Sequence, residues 1–341
     1  LAQSNSCTRW QSSRRLASLA VTVGTTELPL TTAASEDEER PATVTDTSSE
    51  TSRDLTITRK VFWVLFAMWL FGKLCSIPML VDTVPATRWL PTVPIGLLLA
   101  VLVIRASQFL NARTGLGLPF IEGWLEGRPA WHRLPRAVGL SCSVAILASF
   151  AIVGAVPLII AVDRGVSGVP GRLAELAASY PGWWRGLLAS VDAGISEELF
   201  YRYFLLSLVV WLLGRIRKGG GLSRGASIWI AVLVTGLLFG WAHIDDVIST
   251  DRYSAFNLVA IVVLNGGIGM ALGWIYWRYG LESAMFTHFL TDALYYSTLL
   301  PALFFGGGTV LLAVVIVFLV VLALSILVFL RSGREVRVAP G

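Results

Sequence analysis

Eight apolar runs of about twenty residues each, at 61–81, 89–110, 138–162, 184–213, 226–243, 255–279, 283–305 and 310–330, constrain this chain more than anything else in it. A helix rising 1.5 Å per residue needs about that length to cross a hydrocarbon core. In that medium every backbone N–H and C=O must find its partner inside the segment, so each run predicts a transmembrane helix. With 55% of the 341 residues hydrophobic and 14% charged, a soluble globule is excluded. The expectation is an all-α polytopic membrane protein of about eight transmembrane helices. Lys73 in the first run lies near its end, where a lysine can snorkel to the interface.

The net charge of +5 becomes informative once located. Arg53, Arg59 and Lys60 precede the first run; Arg105, Arg113, Arg128, Arg133 and Arg136 surround the second loop; Arg215, Arg217, Lys218 and Arg224 fill the fourth; Arg331, Arg334 and Arg337 follow the last. The alternate loops are poorer in Lys and Arg, and the one holding Asp245, Asp246 and Asp251 is acidic. The positive-inside rule then predicts cytoplasmic termini and an even number of spans, in the cell membrane or an organellar one. The basic balance is topological, its partner is the lipid bilayer, and no nucleic acid is implied. Cys7, Cys75 and Cys142 have no metal-like spacing and leave the redox compartment open.

Four regions follow. Residues 1–60 are rich in Ser and Thr, include the acidic run at 36–39, and read as a disordered tail. The first 26 residues hold Arg9, Arg14 and Arg15 with Ser and no acidic residue, a composition that suits an organellar transit peptide or an unstructured leader. Residues 61–180 hold the first three helices, 181–305 the polar spans, and 306–341 the last helix and a basic tail. Gly219, Gly220 and Gly221, and again Gly306, Gly307 and Gly308, mark turns. Gly236/Gly240 and Gly269/Gly273 have the small-xxx-small spacing of close helix packing.

The fourth run carries Glu197, Glu198 and Arg202, and on insertion scales each such charge costs about 2.5 to 3.5 kcal/mol at the centre of a span. Glu198 and Arg202 are four apart on one helical face, so they predict an ion pair that leaves Glu197 unneutralised and available as a general base toward water. Two of the three histidines, His243 and His288, also fall in spans, whereas His132 lies in a basic loop. Phe239 stands one turn before His243, placed to brace its ring, and Asp292 one turn after His288, placed to accept from it. A base, two imidazoles and a carboxylate suit activation of a water and polarisation of a peptide carbonyl, through a divalent metal such as Zn2+ or by direct hydrogen bonding. Neither H-E-x-x-H nor G-x-S-x-G is present, so a water-mediated hydrolysis fits better than a covalent nucleophile.

The ordered motifs E-E-x-x-x-R at Glu197–Glu198–Arg202, F-x-x-x-H at Phe239–His243 and H-x-x-x-D at His288–Asp292 resemble those of the CPBP intramembrane proteases, also called the Abi or type II CAAX prenyl endopeptidase family. The resemblance covers roughly residues 180–305. It implies a membrane endopeptidase with a conical active-site cavity among helices four, five and seven. By matching positions, Glu197 would be the base, His243, His288 and Asp292 would be catalytic or metal-binding, and Glu198, Arg202 and Phe239 would support them. It also implies a membrane-associated protein or peptide substrate, prenylated in some members. Asp292 departs from the Asn common at that position in prenyl-processing members and weakens transfer of that substrate. A non-enzymatic scaffold or bacteriocin immunity factor would have no need for both histidines. A proton-coupled transporter using Glu197 as a relay would be expected to show an internal repeat, and none is found.

Overall fold

Neighbouring helices bury the polar face of the fourth run, and the computed structural model shows how the sequence arranges them. It describes residues 47–83, 85–217, 222–244 and 254–335. By contacts the chain divides into Leu1–Asp54 and Leu55–Gly341; of the first, only the helical backbone from Thr47 is described, and all that follows concerns the second. The remainder of the expected Ser/Thr-rich tail, the glycines at 219–221, Asp245, Asp246, Asp251 and the tail from 336 lie outside the described residues. Among the described residues there is no strand.

In chain order the helices are α1 (Thr47–Thr83), α2 (Val93–Thr114), α3 (Pro119–Leu125), α4 (Leu134–Arg164), α5 (Val169–Ala178), α6 (Trp183–Glu198), α7 (Ser207–Arg217), α8 (Arg224–Ala242), α9 (Ala255–Tyr279), α10 (Leu281–Leu294), α11 (Leu300–Phe305) and α12 (Gly307–Glu335). A π-helical turn, Leu199–Leu206, joins α6 to α7, and a second, Tyr295–Leu299, joins α10 to α11. Local chemistry sets several ends. Ser223 and Ser254 cap α8 and α9, accepting from the Ala226 and Asn257 N–H groups at 3.1 and 3.2 Å. Gly115, at φ 69°, closes α2 in the left-handed conformation that glycine adopts without strain. Helix already runs through 47–60, residues read from composition as tail, and Gln108 on α2 donates to the Thr58 carbonyl at 2.7 Å.

Among the described residues, seven helices are long and apolar enough to cross a membrane: 55–81, 86–114, 131–164, 183–216, 224–242, 255–279 and 307–332. About eight were expected, and the run at 283–305 is the one not among them. It is helical through its π turn, but His288 and Asp292 lower its hydropathy. Packing supplies what hydropathy does not. The Ser141 and Ser149 hydroxyls of α4 donate to the Ser283 and Thr291 carbonyls at 3.4 and 2.9 Å. The two helices therefore advance together over eight residues, so α10 and α11 run through the bundle parallel to the spanning α4. Helix α12 returns along α4: Gly139 faces Ser325, and Phe150 meets Phe318. Most of its large side chains, such as Leu312, Ile316, Leu319 and Leu324, stay exposed, as a lipid-facing surface requires.

Small residues set the closest approaches. Gly194 of α6 lies against Phe289 and Gly186 against Tyr296, an antiparallel register in which Glu198 stands near the start of α10. Helix α10 begins beside the loop that closes α2, where the Leu281 N–H donates to the Gly117 carbonyl, while α7 continues to Arg217. The buried core around this level gathers Leu65, Ile104, Leu199, Tyr203, Leu206, Ile228, Ile275 and Leu281.

Gly240 and Gly236 of α8 pack on α9. A Cβ at Gly240 would fall against the Val262 carbonyl oxygen and the Gly266 nitrogen, both backbone atoms that cannot swing away. Gly240→Ala is therefore expected to destabilise the protein by about 1–3 kcal/mol through overpacking. Gly267→Ala, where a Cβ meets nothing within 4 Å, should leave the melting temperature in detergent unchanged; equal effects at the two positions would refute this register.

Candidate active site

Glu198 and Arg202 are both fully buried, at 0% and 1% exposure of their side chains. The Arg202 Nε lies 3.2 Å from the Glu198 Oε2 but is not aligned with it as a hydrogen bond, so the contact is principally Coulombic. The guanidinium is held further by an Nη2 bond to the Gly269 carbonyl at 3.2 Å and by the Phe239 ring, 4.5 Å from Cζ. The second oxygen of Glu198 is the feature that the spacing did not foretell. Its Oε1 stands 2.8 Å from Nδ1 of His288. One carboxylate thereby joins the arginine on its own helix to the histidine on α10.

Because an ionised carboxylate only accepts, Glu198 fixes the Nδ1 of His288 as a donor and turns Nε2 outward. That nitrogen lies 3.5 Å from Asp292 Oδ2 and 4.0 Å from Glu197 Oε2. The last distance is too long for a direct hydrogen bond, and Glu197 Oε2 has no hydrogen-bond partner in the protein. A separation of this size between two polar atoms is one that a water can bridge. Glu197 is also the more open carboxylate, 34% exposed against 0% for Glu198. Adjacent in sequence, the two point differently because successive helical residues diverge by about 100°.

His243 ends α8, and its Nδ1 donates to the Phe239 carbonyl at 2.8 Å. Its Nε2 is left free by that bond. Phe239, itself 2% exposed, lies between the two histidines, with centroids 4.6 Å from His243 and 5.7 Å from His288, and takes the edge of Tyr201 at 5.2 Å. The structure therefore gathers Glu197, Glu198, Arg202, Phe239, His288 and Asp292 directly, and links His243 to them through the phenyl ring. Both imidazoles have Nδ1 committed and Nε2 available, the state of a metal ligand. Yet among the described residues no three His, Cys, Asp or Glu side chains converge to hold one metal ion. The arrangement as it stands does not fit the expected zinc site of His243, His288 and Asp292, and no chemical step below passes through a metal.

A second charged pair was missed. Asp192, one turn before Ser196 on α6, accepts from Lys73 Nζ at 2.9 Å and from the Ser196 hydroxyl at 2.6 Å. The lysine expected to snorkel is instead tied across to α6, where Gly72 lets the two backbones approach. The available signal was an aspartate in the same run as the two glutamates.

Residues 179–294, roughly a third of the chain, match a family model. That family is type II CAAX prenyl endopeptidase Rce1-like. The matched segment contains all seven residues singled out above and ends at Leu294, where the second π turn begins. No curated protein matches the chain, and no solved structure does. Over this segment the chain is similar to that family, in the same residues that carry the ordered motifs.

The buried pair yields a stability test. Arg202→Ala strands Glu198 with a single partner, and breaking a buried pair costs about 3–5 kcal/mol. Adding Glu198→Gln should restore part of the loss, and additive losses in that double-mutant cycle, read from thermal melts, would count against the coupling.

Proposed function

We propose that this protein is an intramembrane endopeptidase that hydrolyses a peptide bond of a membrane-associated protein or peptide with water activated by Glu197. The observation that carries the reading is the unpartnered Glu197 Oε2 facing the outward nitrogen of His288, itself fixed by Glu198 and Arg202. Glu197 takes a proton from water as the oxygen attacks the carbonyl carbon, then passes that proton to the departing amide nitrogen as the C–N bond breaks. His288, when protonated, offers an N–H at each nitrogen: Nδ1 to Glu198, and Nε2 toward Asp292 and the developing oxyanion. His243, whose Nδ1–H is taken by the Phe239 carbonyl, offers a second N–H at Nε2 from the opposite side of Phe239 when it too is protonated. Fixed donors in a site away from bulk water are the effective way to stabilise such an oxyanion.

The name of the matched family supports a CAAX-type, membrane-associated substrate. Asp292 in place of the Asn of prenyl-processing members leaves prenylation itself to experiment. The partners are then the substrate protein and the lipid bilayer. A scaffold or immunity role has no observation in its favour here.

Glu197→Gln removes only the proton acceptor. It is expected to insert and melt like the wild type while lowering cleavage of a membrane-peptide substrate at least a thousandfold, and near wild-type cleavage would discard the base assignment. On the donor geometry, hydrolysis by purified protein should survive chelation. Stoichiometric zinc lost from a His243→Ala/His288→Ala variant, with activity abolished by chelator and restored by zinc, would instead make the histidines ligands.

The proposal places both termini in the cytoplasm, on the loop charges and on eight passages through the bundle. In intact cells a cysteine introduced at Gly127 should be shielded from an impermeant thiol reagent and one at Gly165 labelled. The reverse pattern would invert the topology.

A further inference from the structure

The π turn between α6 and α7 is the one irregularity in the helix that carries Glu197, Glu198 and Arg202. In such a turn the backbone bonds close from i to i+5, an extra residue enters, and all side chains beyond are rotated. Arg202 lies inside it. How Arg202 meets Glu198, and how Glu198 then meets His288, depends on the turn keeping this shape. An isolated π turn has fewer good backbone bonds than the α-helix it interrupts, so something must hold it.

Its last carbonyls show what does. The Ser207 N–H donates to the Phe204 carbonyl, not to Tyr203, which would be its acceptor in an α-helix. Asn111 of α2 brings a donor to that carbonyl: its Nδ2 bonds the Tyr203 carbonyl at 2.9 Å and the Ser107 carbonyl at 2.8 Å. The other face of the same amide is also occupied. Asn111 Oδ1 accepts from the Tyr276 hydroxyl at 2.5 Å and from the Ser207 hydroxyl at 3.1 Å, and those two hydroxyls lie 3.0 Å apart. The Ser207 hydroxyl further approaches the Arg202 carbonyl at 3.4 Å. Asn111, Ser207 and Tyr276 are buried to 6%, 0% and 1% exposure, so each unmet bond would strand a polar atom out of reach of water.

We infer that Asn111, with Ser207 and Tyr276, is a clamp on the π turn and thereby a positioning residue for the hydrolytic site. It touches none of the proposed reacting atoms. It acts by fixing the carbonyl next to Arg202, and so the direction from which the guanidinium meets Glu198. Asn111 is outside the segment that matches the family model. The clamp thus gives α2 a part in the site that the matched segment alone does not contain. The amide is needed for its two faces: a donor for the turn and an acceptor for two hydroxyls. Aspartate has only the second and leucine has neither.

The inference rests on the hydrolytic reading above, and the test separates the two. In the full-length protein in detergent, Asn111→Ala should raise hydrogen exchange of the peptide over 199–210 at least tenfold, without raising that of α9. It should lower kcat at least thirtyfold, with KM changed less than threefold. Tyr276→Phe, which removes one hydroxyl and keeps the ring, should give the same pattern at smaller amplitude and stands in if Asn111→Ala does not fold. Ser143→Ala, an equally buried helix hydroxyl bonded only to its own Gly139 carbonyl, should leave all three quantities unchanged. Unchanged exchange over 199–210 in Asn111→Ala, or in Tyr276→Phe where the first is unfolded, overturns the clamp. So does wild-type kcat in a variant whose exchange has risen, provided Glu197→Gln is inactive. A Glu197→Gln variant with full activity overturns the hydrolytic reading, and with it the positioning role, while raised exchange would still establish the clamp on the turn.

Discussion

Everything at the site hangs on one fully buried carboxylate. Glu198 meets Arg202 on its own helix and His288 on another. Taking an unpaired ion out of water costs several kcal/mol even after relaxation, so Glu198 is tenable only while both partners stay in place. That demand fixes the register of α6 against α10, where Gly194 and Gly186 permit the approach to Phe289 and Tyr296. It also draws in α9, whose Gly269 carbonyl receives Arg202, and α8, whose Phe239 ring lies under the guanidinium.

The two adjacent glutamates divide the labour by geometry. Glu198 is fully buried and is spent on structure; Glu197 is partly exposed, and its buried Oε2 is unpartnered. A carboxylate that is already neutralised makes a poor base, and one with no support is expelled to water. Placing the proposed base beside a satisfied carboxylate, with His288 between them, avoids both outcomes. The helix pays for this with a π turn just beyond, whose Tyr203 carbonyl accepts from Asn111 of α2 and whose flanking Ser207 hydroxyl meets Tyr276 of α9.

Interior charge elsewhere follows the same rule of pairing. Lys73 and Asp192 join α1 to α6, and Glu282 accepts from the Phe120 and Ile121 N–H groups at 3.0 and 2.8 Å, joining α10 to α3. The first family-matched residue lies at 179, yet α1, α2 and α3 each supply a polar tie to the matched segment. The flanking helices are therefore part of how the site is held.

The apolar runs by themselves determined an all-helical membrane protein, because a hydrocarbon medium permits few other backbone solutions and length alone locates the segments. Spacing by four determined the Glu198–Arg202 pair, the bracing of His243 by Phe239 and the nearness of Asp292 to His288, since helical periodicity is local. Only the tertiary structure decided that Glu198 also binds His288, that Lys73 pairs with Asp192, and that Asn111 reaches the Tyr203 carbonyl 92 residues away. These are contacts between helices, and the sequence carries no record of the register in which two helices meet beyond the small residues that allow it.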